Sequence, residues 1–581
     1  MALGNNARCS RFAFASLPKA FLGLVGIAGV AACSSSSSTD NPEKGDAAVV
    51  FPATDSNAMC QATVMQGALN GKRAGATCEY LGIPFGKAPT GPLRFMPPEA
   101  APGWSTPRDA TANGPSCLQA NSTLGAVGTT SEDCLSVNVF TPQATPSGPL
   151  PVMVFIYGGA FTSGSSSLYD GQAMSEKGPV IVVTMNYRLG ALGFLALPEL
   201  DSQRSGAPSG SDGIRDQQLA LKWVQSNIAT FHGDASNVTV FGESAGSMST
   251  CMHLVSPGSQ GLANRYIMES GACVGKAPLL NTQAQTYQIS QELASSFCSG
   301  DGGAPDASPS DVLACLRAAD PMALMTWVPP AGDPQTGINA LVGNLLGPPF
   351  APTVEGTGGV LPDLPANLIA KGMFNKDAAI LAGTNKDEWG LFVDLATSPL
   401  TGGSSSSPLN ITSAAQLNQG IEKIYGAAAS QVEAQYPSTD ATAPQVFIDL
   451  VTDYAFRCPT RDLARTTMAQ GTKTYYLYSY EIGKAWHSFE LVPLFNVSVL
   501  GLLGATTPSK GFQSDMLGYW TQFAATGNPN AAKSGGAPMW PAYDAASDQY
   551  MQLLDSPPVA NAHLSQAQCD FWDSFTPPAA M

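Results

Sequence analysis

An α/β fold, with a large and mostly parallel central sheet covered by helices on both faces, is predicted by three observations. Short apolar runs rich in β-branched residues recur along the chain, stretches with helical spacing separate them, and 59 Gly and 45 Pro supply many turns between. Val152-Met-Val-Phe-Ile-Tyr157 and Val180-Ile-Val-Val-Thr-Met185 read as buried strands. Ile214 to Ile228 reads as an amphipathic helix, with Ala220, Trp223, Val224 and Ile228 on one face. Val238-Thr-Val-Phe241, Tyr266-Ile-Met268, Ala378 to Ala382 and Tyr475 to Tyr478 are further strands. In sheets of this kind the active site lies beyond the carboxyl ends of the strands, so the residues that follow each strand matter most.

Composition narrows the function. The chain has 581 residues, 44% apolar, which is enough to build a core and excludes a wholly disordered protein. Its net charge of −16 offers no phosphate-neutralising face, which argues against nucleic-acid binding. Four His leave little room for a His-rich metal site, and neither a metal nor another cofactor is expected.

The N-terminus reads as an address. Arg8, Arg11 and Lys19 precede an apolar stretch, Ala20 to Ala32, that is short for a membrane span and ends in Val30-Ala31-Ala32-Cys33. Residues 1–32 are expected to be a lipoprotein signal peptide, with Cys33 the lipidated first residue of the mature chain; an ordinary signal peptide is the alternative. The Ser-rich segment 33–48 reads as a tether, and 49–581 as a single domain. Loss of three basic residues leaves a mature charge of −16 − 3 = −19. Export is therefore expected, either anchored in the cell envelope through a lipid at Cys33 or secreted. Of the 12 Cys, ten remain after Cys9 and Cys33, and no CxxC occurs. Paired Cys in an exported chain suggest disulfides. Spacing suggests Cys60–Cys78, Cys117–Cys134, Cys251–Cys273 and Cys298–Cys315, leaving Cys458 with Cys569.

Chemistry enters at the strand ends. Strand 238–241 runs into Gly242-Glu243-Ser244-Ala245-Gly246 and then a helix-compatible stretch. A sharp strand-to-helix turn of this kind needs small flanking residues, and it stands its central Ser clear of the sheet as a nucleophile. Strand 152–157 ends in Gly158-Gly159-Ala160-Phe161, whose backbone can approach a substrate closely. The N–H groups of Gly159, Ala160 and Ala245 are the expected oxyanion donors. A Ser hydroxyl needs a base. His232 reads as a turn residue, His253 lies in or after the helix behind Ser244, and His563 sits in a polar stretch. His487, just past a strand, is the best candidate. In an α/β-hydrolase chain order the acid lies between Ser and His. Strand 378–382 ends in Gly383-Thr-Asn-Lys-Asp387-Glu388, and composition does not choose between the two carboxylates.

These residues resemble the type-B carboxylesterase/lipase family, the group that includes the cholinesterases, over roughly residues 50–575. Leu81 to Pro89 with Leu93-Arg-Phe95, Ser131 to Asn138, Phe241 to Gly246 and Thr526 to Asn530 occur in order and each resembles a family signature. The resemblance implies an α/β-hydrolase fold. It implies Glu388 as the acid, with Asp387 structural, and places His487 in an H-x-x-E pattern with Glu490. It also implies the bridges Cys117–Cys134, Cys298–Cys315 and Cys458–Cys569, a structural Arg94–Glu132 ion pair, and supporting roles for Glu243 and Ser270. Cys60–Cys78 and Cys251–Cys273 rest on spacing alone. The loop Leu118 to Asp133 has no aromatic residue where cholinesterases carry a Trp for the choline cation, which argues against a choline-ester preference.

The expected activity is hydrolysis of carboxylic esters through Ser244, His487 and Glu388 and an acyl-enzyme, with a small ester and water as partners. The alternatives are a non-catalytic, cholinesterase-like adhesion protein and an interfacial lipase. Gly347 to Phe350 and Leu491 to Leu503 are expected to line the substrate pockets, with Trp389 and Trp486 near the triad.

Overall fold

A 13-stranded sheet is the spine of the computed structural model. The structure describes residues 60–120, 128–275, 279–298, 309–329, 349–398, 403–495, 497–530, 537–555 and 557–575. The expected signal peptide, tether and lipidation position Cys33 lie outside these residues. From edge to edge the strands run Cys60–Val64, Gly67–Ala74, Thr77–Pro84, Ser136–Pro142, Ile181–Met185, Leu150–Ile156, Gly233–Glu243, Arg265–Glu269, Ala379–Asn385, Thr474–Tyr480, Tyr550–Leu553 and Val559–Asn561. A two-residue strand, Arg108–Asp109, pairs beside Gly67–Ala74.

From Ile181–Met185 to Tyr550–Leu553 every pairing is parallel. Both margins are antiparallel apart from the short Arg108–Asp109 strand, which pairs parallel. The central strands carry continuous apolar runs because both faces are covered there: Val152 through Tyr157 are all buried. Burying each such Val or Ile contributes about 1.5–3 kcal/mol. The margins use local turns instead. Gly75, at φ 56°, and Ala76 join Gly67–Ala74 to Thr77–Pro84 in a hairpin. One cross-strand pair needs a missing side chain: the Tyr478 ring lies over Gly383, where a Cβ would meet it at 2.3 Å.

The chain order places the site. Leu150–Ile156 leads to Ile181–Met185 on one side, and the chain then returns to lay Gly233–Glu243 on the other. Connections from the two neighbouring strands therefore diverge, which opens a crevice at their carboxyl ends. Helix Ala245–Val255 packs on Gly233–Glu243 and Arg265–Glu269, while Lys510–Thr526 packs across Leu150–Ile156 and Gly233–Glu243 from the opposite face.

A second apolar cluster lies apart from the sheet core. Helices Ala414–Tyr425, Ala443–Thr452 and Gln566–Ser574 bury Leu417, Tyr425, Leu450 and Trp572 against Trp389 and Phe392. The apolar strand runs carry no sign of this layer. One turn of π-helix, Asp453–Arg457, interrupts it. Disulfides join Cys60–Cys78, Cys117–Cys134, Cys251–Cys273, Cys298–Cys315 and Cys458–Cys569, the last closing 111 residues of chain. Five bridges fit an exported protein. Among the described residues no helix is long and apolar enough to cross a membrane.

Candidate active site

Ser244 stands at φ 57° and ψ −123°, a backbone conformation costly for any residue but glycine. Packing against the neighbouring strand holds it there. A Cβ on Gly246 would fall 1.9 Å from the Ile156 carbonyl oxygen, and one on Gly242 would fall 2.5 Å from the same atom. No side chain fits at either position, so the turn closes tightly and its apex projects. The Ser244 N–H donates to Glu269 O at 2.9 Å. Ser244 is half-buried, whereas Phe241 to Glu243 and Ala245 are buried.

Across the crevice, Gly159 and Ala160 also take positive φ, 108° and 52°. A Cβ on Gly158 would lie 2.8 Å from Ser244 Cβ, which brings this strand end against the Ser244 side chain. Among the described residues, the N–H groups of Gly159, Ala160 and Ala245 donate to no other backbone group. Ala245 opens its helix, where the first N–H groups have no partner within the helix.

His487 follows the Thr474–Tyr480 strand in a loop bent by Ala485 (φ 44°) and Ser488 (φ 67°). Its Nδ1 lies 2.6 Å from Glu388 Oε2, and Glu388 Oε1 accepts from the Asn385 N–H at 2.6 Å. Its Nε2 has no hydrogen-bond partner and lies 3.2 Å from Glu243 Oε1. No hydrogen bond joins Ser244 Oγ to Nε2; such bonds are commonly long before substrate arrives. Phe392 and Phe456 pack on the imidazole, with ring centroids 5.0 and 5.1 Å away.

The other candidates fall elsewhere. Asp387 accepts from Gln445 at 2.8 Å rather than facing His487. His253 is buried between Ser259 and Gln217, and burial pushes its pKa down to about 3. His232 and His563 are exposed. Arg94 makes a two-pronged pair with Glu132 at 2.6 and 2.7 Å.

Three buried glutamates, Glu243, Glu388 and Glu490, act on His487, and a fourth, Glu269, is buried near Glu490 and Glu243. Burial would push the imidazole pKa down, but the carboxylates of Glu243, Glu388 and Glu490 outweigh it and raise it to about 9. Burial itself raises Glu243 to about 7 and Glu490 to about 8, and holds Glu269 well above the ordinary carboxyl range. Ser488 Oγ donates to Glu243 at 2.6 Å. Ser270 Oγ donates to Glu490 at 2.6 Å, and Asn385 Nδ2 donates to the other oxygen of the same carboxyl.

Sequence reasoning missed Ser488, Asn385, Phe392, Phe456 and Arg457. Of these only Ser488 carried a local signal, through its place beside His487. Arg457, on the π-helical turn, donates to the Lys386 carbonyl at 2.6 Å, two residues from Glu388.

A cavity of about 60 Å³ adjoins the site, lined by Gly159, Leu168, Glu243, Leu391, Ser488 and Leu500 among others. Segment 491–503 contributes Leu491, Val497, Val499 and Leu500 to it. Phe350 packs near Trp327 instead, and Gly347 and Pro348 lie outside the described residues. Trp389 is core, its ring tilted against Phe392, while Trp486 carries Lys484 Nζ over its ring at 3.9 Å. Among the described residues no cluster of His, Cys, Asp and Glu could hold a metal ion.

A family model described as the carboxylesterase family matches residues 58–572. Acetylcholinesterase of Bungarus fasciatus is 33% identical over 546 residues, covering 87% of this chain and 83% of that protein.

Proposed function

We propose, from the premise that this chain belongs to the carboxylesterase family, that it is a serine esterase acting through an acyl-enzyme on Ser244. Ser244 Oγ attacks the ester carbonyl while His487 Nε2 takes its proton. Charge developing on the carbonyl oxygen meets the N–H groups of Gly159, Ala160 and Ala245. His487 then gives the proton to the leaving alcohol, and water repeats the cycle to release the acid. Glu388 holds Nδ1–H, fixes the tautomer and stabilises the imidazolium. Glu243 and Ser270 support the network through Ser488 and Glu490.

One observation carries this reading: an imidazole clamped to Glu388 on one nitrogen, with the other unpartnered in the crevice that Ser244 enters. The test is a fluorophosphonate probe followed by peptide mapping. Labelling at Ser244, lost in His487→Ala, is expected. Absence of both labelling and ester hydrolysis in folded protein would leave a non-catalytic binding role. The aromatic-free 118–133 loop directs the reading to uncharged esters rather than choline esters. Dissolved short-chain esters are expected to turn over faster than emulsified long-chain ones, the reverse of a lipase.

The same reading includes a lipid anchor at Cys33, after removal of residues 1–32. Incorporation of labelled palmitate, abolished by Cys33→Ser, is the expected result; release of unmodified protein would replace the anchor with secretion.

A further inference from the structure

Leu168, Val497 and Val499 have a cavity on each side. On one side lies the 60 Å³ cavity beside Glu243 and Ser488. On the other lies a larger one of about 420 Å³, reached by Asp170, Glu176 and Phe495. These three side chains line both spaces and so form a partition one residue thick. They stand on short supports: the single turn Ser166–Leu168, and Val497 with the five-residue helix Ser498–Leu502. Leu168 and Val499 are half-buried, and Leu502 on the outer side of that helix is 88% exposed.

Chemistry says which part of an ester this cavity takes. A leaving alcohol must sit at His487 Nε2 to receive its proton. Glu243, 3.2 Å from that nitrogen, and Ser488, beside it in the chain, both line the small cavity. The alkyl group of the alcohol therefore extends into it, between Leu391, Leu491 and Leu500.

Resting on the catalytic reading above, we propose that Leu168, Val497 and Val499 set the length of the alcohol chain. They close the alcohol-side cavity after a short alkyl group and keep longer chains out of the groove behind. The substrate class is the ester of a short, uncharged alkanol. Opening the partition joins the two spaces and admits a longer chain, each methylene adding roughly fourfold in apolar binding.

The test measures kcat/KM for n-alkyl acetates from ethyl to octyl, by acid release, in wild type, Leu168→Ala, Val499→Ala and the double variant. Wild type is expected to fall off beyond butyl. The double variant is expected to raise the octyl-to-ethyl ratio by about tenfold or more, whatever its absolute rate on ethyl acetate, in protein shown to be folded by its urea midpoint and to label at Ser244. Val499→Phe thickens the partition and is expected to shorten the accepted chain, which keeps the test decisive if an alanine variant fails to fold. An unchanged ratio in folded, labelled variants overturns the proposal and leaves the esterase reading standing. Loss of labelling and hydrolysis in wild type overturns both. A parallel series of p-nitrophenyl acyl esters, acetate to octanoate, is expected to keep its profile; a shift there instead overturns the alcohol-side assignment.

Discussion

Two buried clusters of charge in this protein are built on opposite rules. In one, every carboxylate faces a guanidinium: Arg188 with Asp216 at 2.7 Å, Arg204 with Asp212 at 2.6 Å, and Arg215 with both Asp212 and Glu355. Burial would raise the Asp212 pKa, but Arg204, Arg215 and Arg188 outweigh it and hold the group below its ordinary value; at Asp216 and Glu355 burial still leaves the pKa raised, the facing guanidinium offsetting only part of it. In the other, Glu243, Glu388 and Glu490 share one imidazole, with Glu269 buried beside them. There no guanidinium pairs with Glu243, Glu269 or Glu490 among the described residues, and burial makes these three carboxyls keep their protons to higher pH. Matched charge locks a scaffold. Mismatched charge leaves groups that titrate near neutral pH, where proton transfer is done.

The largest expected effect breaks the mismatched cluster at its reacting ends. Ser244→Ala and His487→Ala are each expected to lower kcat by a factor on the order of 10⁶, with the urea midpoint nearly unchanged. A variant that instead unfolds would make the cluster a structural one. Next, Arg204→Met takes from Asp212 the nearer of its two guanidinium partners and leaves only Arg215 at 3.2 Å. Its expected cost is about 3–5 kcal/mol of stability, read by urea titration, with turnover per folded molecule retained.

The pH profile sharpens the contrast. His487 must be neutral to accept a proton, and its pKa is raised to about 9, so kcat/KM is expected to climb from pH 7 through 9. Glu243 favours the charged imidazole from 3.2 Å. Glu243→Gln removes that carboxylate, lowers the imidazole pKa and moves the rising limb to lower pH by about one unit. An unmoved limb would show that Glu243 is already protonated over this range. The smallest effect belongs to Glu269→Gln. Burial holds that carboxyl well above its ordinary range, and Gln still accepts from Trp520 Nε1, so stability is expected to change by less than about 0.5 kcal/mol.

Legibility followed range. The turn around Ser244 could be read because Gly242, Ser244 and Gly246 lie within five residues at a strand end, although the atom that excludes a side chain at both glycines, the Ile156 carbonyl oxygen, belongs to another strand. The central strands could be read because both faces are buried and the apolar run is continuous. Asp387 and Glu388 could not be separated by the bottom-up reading, since both occupy the same strand end; the side chain of one turns to Gln445 and of the other to His487. Phe392, Phe456 and Arg457 stand on helices of the second cluster, and nothing in their own segments marks an approach to the imidazole.

What the chain determines by itself is what short-range sterics and hydrophobic patterning can express: which segments become buried strands, where a strand must turn sharply, and which residue types could do acyl chemistry. Folding alone decided that residues 243, 388, 487 and 490 share one dry space, and that Leu168 comes to stand with Val497 and Val499. Those meetings depend on sheet order and on the closing of loops many residues long. Their energy lies in packing between distant segments, which no local pattern records.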